Sequence, residues 1–433
     1  MNYRQVPLLA VIANQNFRNL WLGQIFSQIP INMMTFVLLI RVYQQTASNT
    51  ATSIIVLTIG LPAIFIGMIA GAVVDRLERR DVLVVCNLLR VFTLLGFFLS
   101  RETLLFVYLL AAATSIITQF FVPAEAPTIP RLVSGELLLT ANSLFTFTYY
   151  LSMILGFVLA GPFLKFFGPH NIFLFMSFLL LIAAFFVCRI PKERGKGTIH
   201  GLNLPIDQIK SDLKEGFSFI RKEGKVSFAI FLLTSSQALI ATLASLAPGF
   251  ADKVLKIELE DTSFLIMGPA ALGLVLGALV VGNFGKDVKK DNLINFGIIM
   301  AGFILLTLSL LVRASRYPYF LFKVESFLPP VFQFGFVEIA VLLFFILGAS
   351  NALIDVPANT ILQGATNKEF RGRVYGVLTA MIGGTAILPV IGGGALADIL
   401  GVGKVIFAIA LLILGLGLYR ILLKSKIQIS NVK

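Results

Sequence analysis

Charged residues are scarce in this sequence of 433 residues. Asp, Glu, Lys and Arg together make up 13% of it, whereas a typical soluble protein carries about a quarter. Hydrophobic residues make up 57%, and Phe alone occurs 40 times. This composition excludes an ordinary soluble domain and predicts a chain that crosses the membrane many times.

Cysteine and histidine are nearly absent as well. The two cysteines, Cys86 and Cys188, lie in apolar runs and predict no disulfide framework. Two histidines cannot make a His-rich metal site, so no metal and no cofactor are expected. The sequence lacks a Walker loop, an HExxH motif and a nucleophile motif, which predicts neither an enzyme nor an ATP-driven pump.

The apolar residues form twelve runs, each long enough to cross the membrane as a helix of about 20 residues. We predict helices because lipid offers no partner for unpaired backbone groups. The predicted spans are 17–42, 52–74, 82–100, 103–123, 141–166, 171–189, 226–250, 262–284, 292–312, 337–362, 373–397 and 402–423. The fold class is therefore an all-α membrane protein.

Lys and Arg are concentrated in the loops on one side of these spans, and the net charge is +13. Because basic loops stay in the cytoplasm, both termini are predicted to be cytoplasmic, in a bacterial inner membrane. The charge therefore indicates topology and not a nucleic-acid partner. We predict an N-terminal six-helix bundle (1–189), a cytoplasmic linker (190–225) and a C-terminal six-helix bundle (226–433). An amphipathic helix along the membrane surface is expected from Ile206 onward.

Two short patterns recur in the second half of the chain. The turn Arg79-Arg80-Asp81-Val-Leu83 is repeated as Lys289-Lys290-Asp291-Asn-Leu293, and Val122-Pro-Ala is repeated as Val356-Pro-Ala. These copies predict two halves related by a pseudo-two-fold axis. The second half has an additional aromatic-rich stretch at 313–335. It is either an interfacial loop anchored by aromatic residues or an outer lid.

Several motifs resemble those of a known family. The turn Gly71-x-x-x-Asp75-Arg76-x-x-Arg79-Arg80 resembles the signature between spans two and three of the major facilitator superfamily, although Glu78 replaces the usual Gly. The turn Pro123–Asn142, the run Asp212–Phe217 and Arg371-Gly-Arg373-Val are similar to exporters grouped with macrolide efflux proteins and the enterobactin exporter. The resemblance implies a secondary transporter that works by alternating access.

A second motif in the fifth span is similar to the antiporter motif of that superfamily. It reads Gly156-x-x-x-Ala160-Gly161-Pro162. The resemblance implies an exporter, but the same small residues also suit close packing of helices. Both interpretations stay open at this point.

The charged turn after span two suits a cytoplasmic latch. Asp75 can accept hydrogen bonds from a helix N-terminus, and the arginines can pair with an acid such as Glu136 or Asp81. The alternative is that the basic turn only fixes topology. The predicted gate residues are Asp75, Arg76, Arg79, Arg80, Glu136, Arg371 and Arg373.

Charges embedded in a membrane are costly and often functional. Three residues qualify: Arg90 in span three, Asp355 in span ten and Glu125 near the inner end of span four. By the family pattern, spans one, four, seven and ten line the cavity, so Asp355 and Glu125 are the candidates for proton exchange. Arg90 is expected to neutralise a buried carboxylate or to snorkel. Arg41, near the outer end of span one, is either a gate residue or a snorkelling anchor.

Polar side chains in the same spans predict a neutral, hydrogen-bonding cavity, although such residues also join helices to one another. The candidates are Gln24, Gln28, Asn32, Thr35, Ser115, Thr118, Gln119, Ser235, Gln237 and Asn351.

Such a cavity suits a lipophilic or amphipathic small molecule. We therefore predict a monomeric, proton-coupled exporter of drug-, macrolide- or siderophore-like compounds, an antiporter that confers drug resistance. The coupling ion, H⁺ or Na⁺, is left open. The alternative is a lysophospholipid flippase of the same superfamily, and membrane lipid is a partner in either case.

Overall fold

The computed structural model describes residues 7–74, 76–100, 103–192, 206–285, 288–314, 335–367 and 370–430. This part of the chain consists of α-helices joined by turns and short 3-10 or π-helical segments. The α-helices are α1 (Pro7–Ala13), α2 (Gln15–Thr46), α3 (Asn49–Val74), α4 (Arg79–Leu99), α5 (Leu104–Glu125), α6 (Ile129–Leu132), α7 (Leu138–Cys188), α8 (Ile206–Lys222), α9 (Gly224–Phe250), α10 (Gly268–Phe284), α11 (Lys290–Ala314), α12 (Phe336–Ala365), α13 (Arg371–Leu400) and α14 (Val402–Ser430).

Eleven helical segments of the described chain are long and apolar enough to cross a membrane. One of them contains α7, whose 51 residues are interrupted at Gly168, where φ is +78°. The rings of Phe163 and Phe175 lie 4.9 Å apart, whereas in a straight helix these residues would be separated by about 18 Å. The chain therefore turns back at Gly168 and makes two crossings. The prediction of an all-α membrane protein with twelve transmembrane helices is confirmed.

Contacts between residues divide the chain into two compact units. Unit 1 comprises Met1–Val42 and Leu57–Asp212, and unit 2 comprises Tyr43–Val56 and Leu213–Lys433. The stretch Tyr43–Val56 thus has its contacts in unit 2, although α2 and α3, which it connects, otherwise belong to unit 1. The predicted boundaries at 189/190 and 225/226 stay a prediction.

Unit 1 is held by a core in which α2, α4, α5 and α7 meet. Phe17, Leu83, Phe121 and Phe145 are all buried in this core. The first half of α7 approaches α2 closely at Gly156, where a Cβ would lie 2.8 Å from the carbonyl oxygen of Ile29. The glycine of the antiporter-like motif therefore serves close helix packing, whatever further role the motif has.

Unit 2 is held by the same kind of close contact. A Cβ at Gly273 of α10 would collide with the carbonyl oxygen of Phe345 on α12, and one at Gly348 would collide with that of Ala270. The glycines therefore let α10 and α12 pack backbone to backbone, as small residues do in membrane helix pairs.

The predicted amphipathic helix begins at Ile206, as expected, and packs on the start of α13. The rings of Phe219 and Phe370 are stacked with their centroids 4.8 Å apart, and Ile220 is buried. Phe217, which the sequence pattern placed on the same apolar stripe, is 57% exposed. Only part of the stripe is therefore packed on the protein.

Some predicted features lie outside the described residues. These are Asp75, the side chain of Arg371 and nearly all of the aromatic stretch 313–335.

Candidate functional site

A cluster of polar side chains lies inside unit 2, between α9 and α12. The amide nitrogen of Asn351 donates to Oδ2 of Asp355 over 3.2 Å, and that of Gln237 approaches the same oxygen at 3.4 Å. The hydroxyl of Ser236 donates to Oδ1 of Asn351 over 2.6 Å. Three residues predicted from separate patterns, Gln237, Asn351 and Asp355, are thus brought together.

The other carboxylate oxygen of Asp355, Oδ1, is buried and has no hydrogen-bond partner. The groups that contact the carboxylate are neutral amides and hydroxyls, and Ser236 also binds the Asn351 amide. Ser236 belongs to the polar run Thr234–Gln237 of span seven, from which the cavity candidates Ser235 and Gln237 come. Ser235 is exposed.

Unit 1 contains a different arrangement around Arg90 of α4. The guanidinium is 1% exposed, donates from Nη1 to Oγ of Ser27 over 3.0 Å and lies 4.3 Å from the ring centroid of Phe121. It also interacts electrostatically with Glu125. Arg90 therefore faces a buried carboxylate, which is one of its two predicted roles. It does not snorkel to a membrane surface, which is the other.

Glu125 itself is 5% exposed, and its Oε1 has no hydrogen-bond partner. It interacts electrostatically with Arg90 and with Tyr149 of α7. Asn87, one turn before Arg90, is also fully buried, and neither of its amide atoms has a partner. Unit 1 thus holds a guanidinium and a carboxyl group that interact electrostatically, in surroundings with unused hydrogen-bonding capacity.

The remaining cavity candidates mostly bind the protein's own backbone or a neighbouring helix. Gln24 accepts a hydrogen bond from Thr148 of α7, and Ser115 donates to the carbonyl oxygen of Ile59 on α3 over 2.6 Å. The backbone of their own helix is bound by the side chains of Asn32, Thr35, Thr118 and Gln119. Gln28 is buried in α2. Their assignment to a substrate cavity stays a prediction.

Arg41 caps the end of α4. It is 5% exposed, donates to the carbonyl oxygens of Phe97 and Ser100 and lies 5.7 Å from the ring centroid of Phe173. The last carbonyls of a helix lack partners within it, so a cation there satisfies them and opposes the negative end of the helix dipole. In this structure Arg41 anchors α2 to α4.

The charged turn of unit 1 is tied to its surroundings by several contacts. Arg80 lies 3.5 Å from Asp81, one of the two acids named as partners, and donates to the carbonyl oxygen of Cys188. Asp81 also accepts a hydrogen bond from Lys192 over 2.9 Å. Glu136, the other named acid, is exposed, as is Arg76. Arg79 begins α4.

Glu78, the departure from the family signature, is part of this network. It is 7% exposed and lies 3.5 Å from Arg131, in the connection between α5 and α7. In unit 2, Arg373 of α13 pairs with Glu215 of the linker helix α8 over 2.7 Å. These contacts give the charged turns specific partners, which a purely topological signal would not need.

Unit 2 contains a second charged site that the sequence did not reveal. Asp398, near the end of α13, accepts five hydrogen bonds from the first residues of α3. The donors are the side chains of Ser48, Asn49 and Thr50 and the backbone N–H groups of Asn49 and Thr50, at 2.6–3.0 Å. The free N–H groups and positive dipole of a helix N-terminus favour such a carboxylate.

Further contacts hold the same stretch of chain. Tyr43 donates to Asp252 over 3.1 Å, and Gln44 donates to Glu260 over 3.0 Å. Thr52 donates to the carbonyl oxygen of Ser245 over 2.7 Å. The run Ser48-Asn49-Thr50 before an apolar span is a helix-start signal, but nothing in the sequence identifies Asp398 as its partner.

No group of three or more His, Cys, Asp or Glu side chains that could hold a metal ion is found among the described residues.

The family model of the Major Facilitator Superfamily matches residues 20–338. The Bacillus subtilis (strain 168) protein named "Uncharacterized MFS-type transporter YfiS" is 22% identical over 432 residues, 97% of this chain and 94% of its own. The "Enterobactin exporter EntS" of Escherichia coli O1:K1 / APEC is 25% identical over 414 residues, which cover 92% of this chain and 91% of that protein.

Solved transporter structures share the fold. The nucleoside transporter NupG superposes with a TM-score of 0.69 at 13% identity, over 93% of this chain and 98% of that one. A POT family transporter in complex with a thioalcohol-conjugated peptide gives a TM-score of 0.72 at 12% identity, over 95% and 96%. With a family match that spans most of the sequence and relatives that match it from end to end, the chain belongs to the major facilitator superfamily and is a multi-pass membrane transporter.

Proposed function

We propose that this transporter is a proton-coupled exporter of lipophilic or amphipathic small molecules that works by alternating access. The observation that carries the proposal is the carboxyl group of Asp355, which lies inside a membrane helix with one oxygen bound by amides and the other without a partner. Ionisable residues at such positions in membrane helices commonly mark ion or substrate pathways.

The geometry suits reversible protonation. Both amide contacts are made to Oδ2, so a proton can bind and leave at Oδ1 without breaking them. The contacts described for the carboxylate come from the neutral amides of Gln237 and Asn351 and involve no basic group. A proton or a cationic group of a substrate would therefore be bound at Oδ1 in one step of the cycle and released in another.

The direction of transport is inferred from the relatives and the motifs. EntS, a relative of this chain, is named an enterobactin exporter. Export by this chain is part of the proposal. The predicted drug- and siderophore-like substrate class, the antiporter mode, the inner-membrane location and the cytoplasmic termini belong to the same proposal. Glu125 is a second candidate for proton exchange, although it has Arg90 nearby.

Alternating access also needs contacts that close one end of the pathway. We assign this role to Asp398 and the start of α3, because five hydrogen bonds converge on this one carboxylate. The arginine-rich turn with Arg79 and Arg80 is the proposed latch at the end predicted to be cytoplasmic.

Proteoliposomes that contain the purified full-length protein test the coupling. An imposed pH gradient should drive transport of at least one of three probes: enterobactin, the dye Hoechst 33342 or a fluorescent lysophosphatidylethanolamine. Asp355→Asn should abolish gradient-driven accumulation but still exchange the probe at equal concentrations. Glu338→Gln, a carboxylate removed from the first turn of the same helix, is the matched control.

Gradient-driven transport that is unchanged in Asp355→Asn would overturn the assignment of Asp355. Transport of the lysophospholipid alone would replace the exporter of small molecules by the alternative, a lysophospholipid flippase.

A further inference from the structure

An open groove lies in unit 2 between the linker helix α8 and the membrane helix α13. Its volume is about 600 Å³, within the range of pockets that hold small molecules. Val377, Ala380, Met381 and Gly384 of α13 form one wall, and Phe217 and Lys214 of α8 form the other. The groove is apolar along its length and carries one positive charge.

The two walls are held at a fixed distance from each other. Glu215 pairs with Arg373 over 2.7 Å, and a Cβ at Gly216 would lie 3.0 Å from the carbonyl oxygen of Arg373. Because α8 is already in backbone contact with α13 at Gly216, it cannot move closer to fill the groove. Phe217 therefore stays 57% exposed beside it.

The depth of the groove determines what can fill it. Val377–Thr385 begins about 9 Å along α13 from its first residue and ends about 21 Å along it, which places the wall in the hydrocarbon part of a membrane roughly 30 Å thick. Space around α13 at this level is open, since a Cβ at Gly384 would meet no atom within 4 Å. An acyl chain is the apolar group available at that depth.

The single charge in the lining of the groove selects the headgroup. Glu215, the acid next to Lys214, pairs with Arg373 over 2.7 Å. Lys side chains near a membrane surface attract anionic lipids. We propose that the groove binds a phosphate-bearing anionic membrane lipid, with one acyl chain along Val377–Gly384 and the phosphate at Lys214.

The full-length protein, purified in dodecyl maltoside, tests the proposal through its Tm while phosphatidylglycerol is added. A ligand that binds only the folded state raises Tm by an amount that grows with the logarithm of its concentration above Kd. Wild type should show such a rise. Lys214→Gln should weaken the apparent affinity about fivefold, the effect of one lysine near an anionic headgroup. Lys222→Gln removes a charge from the same helix outside the groove and should respond as wild type does.

A groove-filling variant tests the position of the acyl chain. Gly384→Leu projects into open space, so it should keep its Tm without lipid and lose the lipid-induced rise. Gly392→Leu, on the same helix and also in open space, is the matched control and should retain that rise.

Inorganic phosphate alone should leave Tm unchanged, because the acyl chain of the lipid supplies most of the binding free energy. Stabilisation by phosphate alone would show a simple anion site at Lys214 and overturn the proposal. An equal lipid-induced rise in wild type and Gly384→Leu would overturn it too. Lys214 is exposed, so its variant remains informative even where Gly384→Leu does not fold.

Discussion

The two units treat their membrane-embedded charges in opposite ways. In unit 1, Glu125 has a guanidinium in its surroundings, and that guanidinium is bound by Ser27 and covered by the ring of Phe121. In unit 2, the groups described in contact with Asp355 are neutral. One oxygen of each carboxyl group, Oε1 of Glu125 and Oδ1 of Asp355, has no hydrogen-bond partner. A charge that is compensated inside the protein contributes to its stability, whereas an uncompensated charge can bind and release a proton or a cationic group of a substrate.

Asp398 is a third case that sharpens this difference. Its carboxylate also lacks a basic partner in the contacts described, but both oxygens accept hydrogen bonds from α3. No position is left for a proton or ligand without loss of an existing contact. The number of unused oxygen atoms, and not the presence of a carboxylate, therefore separates Asp355 from Asp398.

The largest expected effect is in unit 1. Arg90→Met leaves Glu125 buried without its cation and removes the contacts with Ser27 and Phe121. Loss of one partner from a buried pair typically costs about 3–5 kcal/mol, so thermal unfolding of the purified variant should occur at a much lower Tm.

The control for this variant is Arg90→Met combined with Glu125→Gln, in which both charges are gone. The double variant should recover most of the lost stability. A single variant as stable as wild type would show that Arg90 does not compensate Glu125, and the contrast between the units would disappear.

A smaller effect is expected from Asp398→Ala. It removes the acceptor at the start of α3, a change comparable to the loss of an N-cap, which costs roughly 1 kcal/mol. A cysteine at Thr52, introduced with Cys188 replaced by Ser, should then react faster with a membrane-impermeant maleimide. Thr52 is fully buried at this contact, so an unchanged labelling rate would remove Asp398 from the proposed gate.

The smallest effect on stability is expected from Asp355→Asn, although it should abolish coupling. Asn offers an oxygen to the amides of Asn351 and Gln237 and carries no charge, so the free energy of unfolding should stay within about 1 kcal/mol of wild type. Measured thermal unfolding gives this directly. A large loss of stability would mean that the ionised carboxylate has a structural role like that of Asp398.

The spans and their order were predictable because each apolar run has the length of a membrane crossing. Even the break at Gly168 fell in the gap predicted between spans five and six. The rotation of each helix was not predictable, since these helices are apolar on most faces. Adjacent residues in a helix point about 100° apart, so the sequence could not show that Ser236, and not Ser235, reaches Asn351.

Contacts between helices that are far apart in the sequence could not be predicted for the same reason. Arg41 was predicted as a gate residue or a snorkelling anchor, and its contacts with the end of α4 depend on where α4 ends relative to α2. Asp398 was not considered at all, because its partners are three polar residues at the start of another span. In both cases a polar side chain near the end of one helix binds backbone groups at the end of a different helix. The sequence around either residue does not identify that partner helix.

The stretch Tyr43–Val56 has a consequence for attempts to take the protein apart. A cut in the connection before α8 would yield an N-terminal fragment that contains this stretch, while Asp252, Ser245 and Asp398 would remain on the C-terminal fragment. The N-terminal fragment alone would expose a row of hydrogen-bond donors whose acceptors are on the other fragment. We therefore expect the two predicted halves to fold only when they are expressed together.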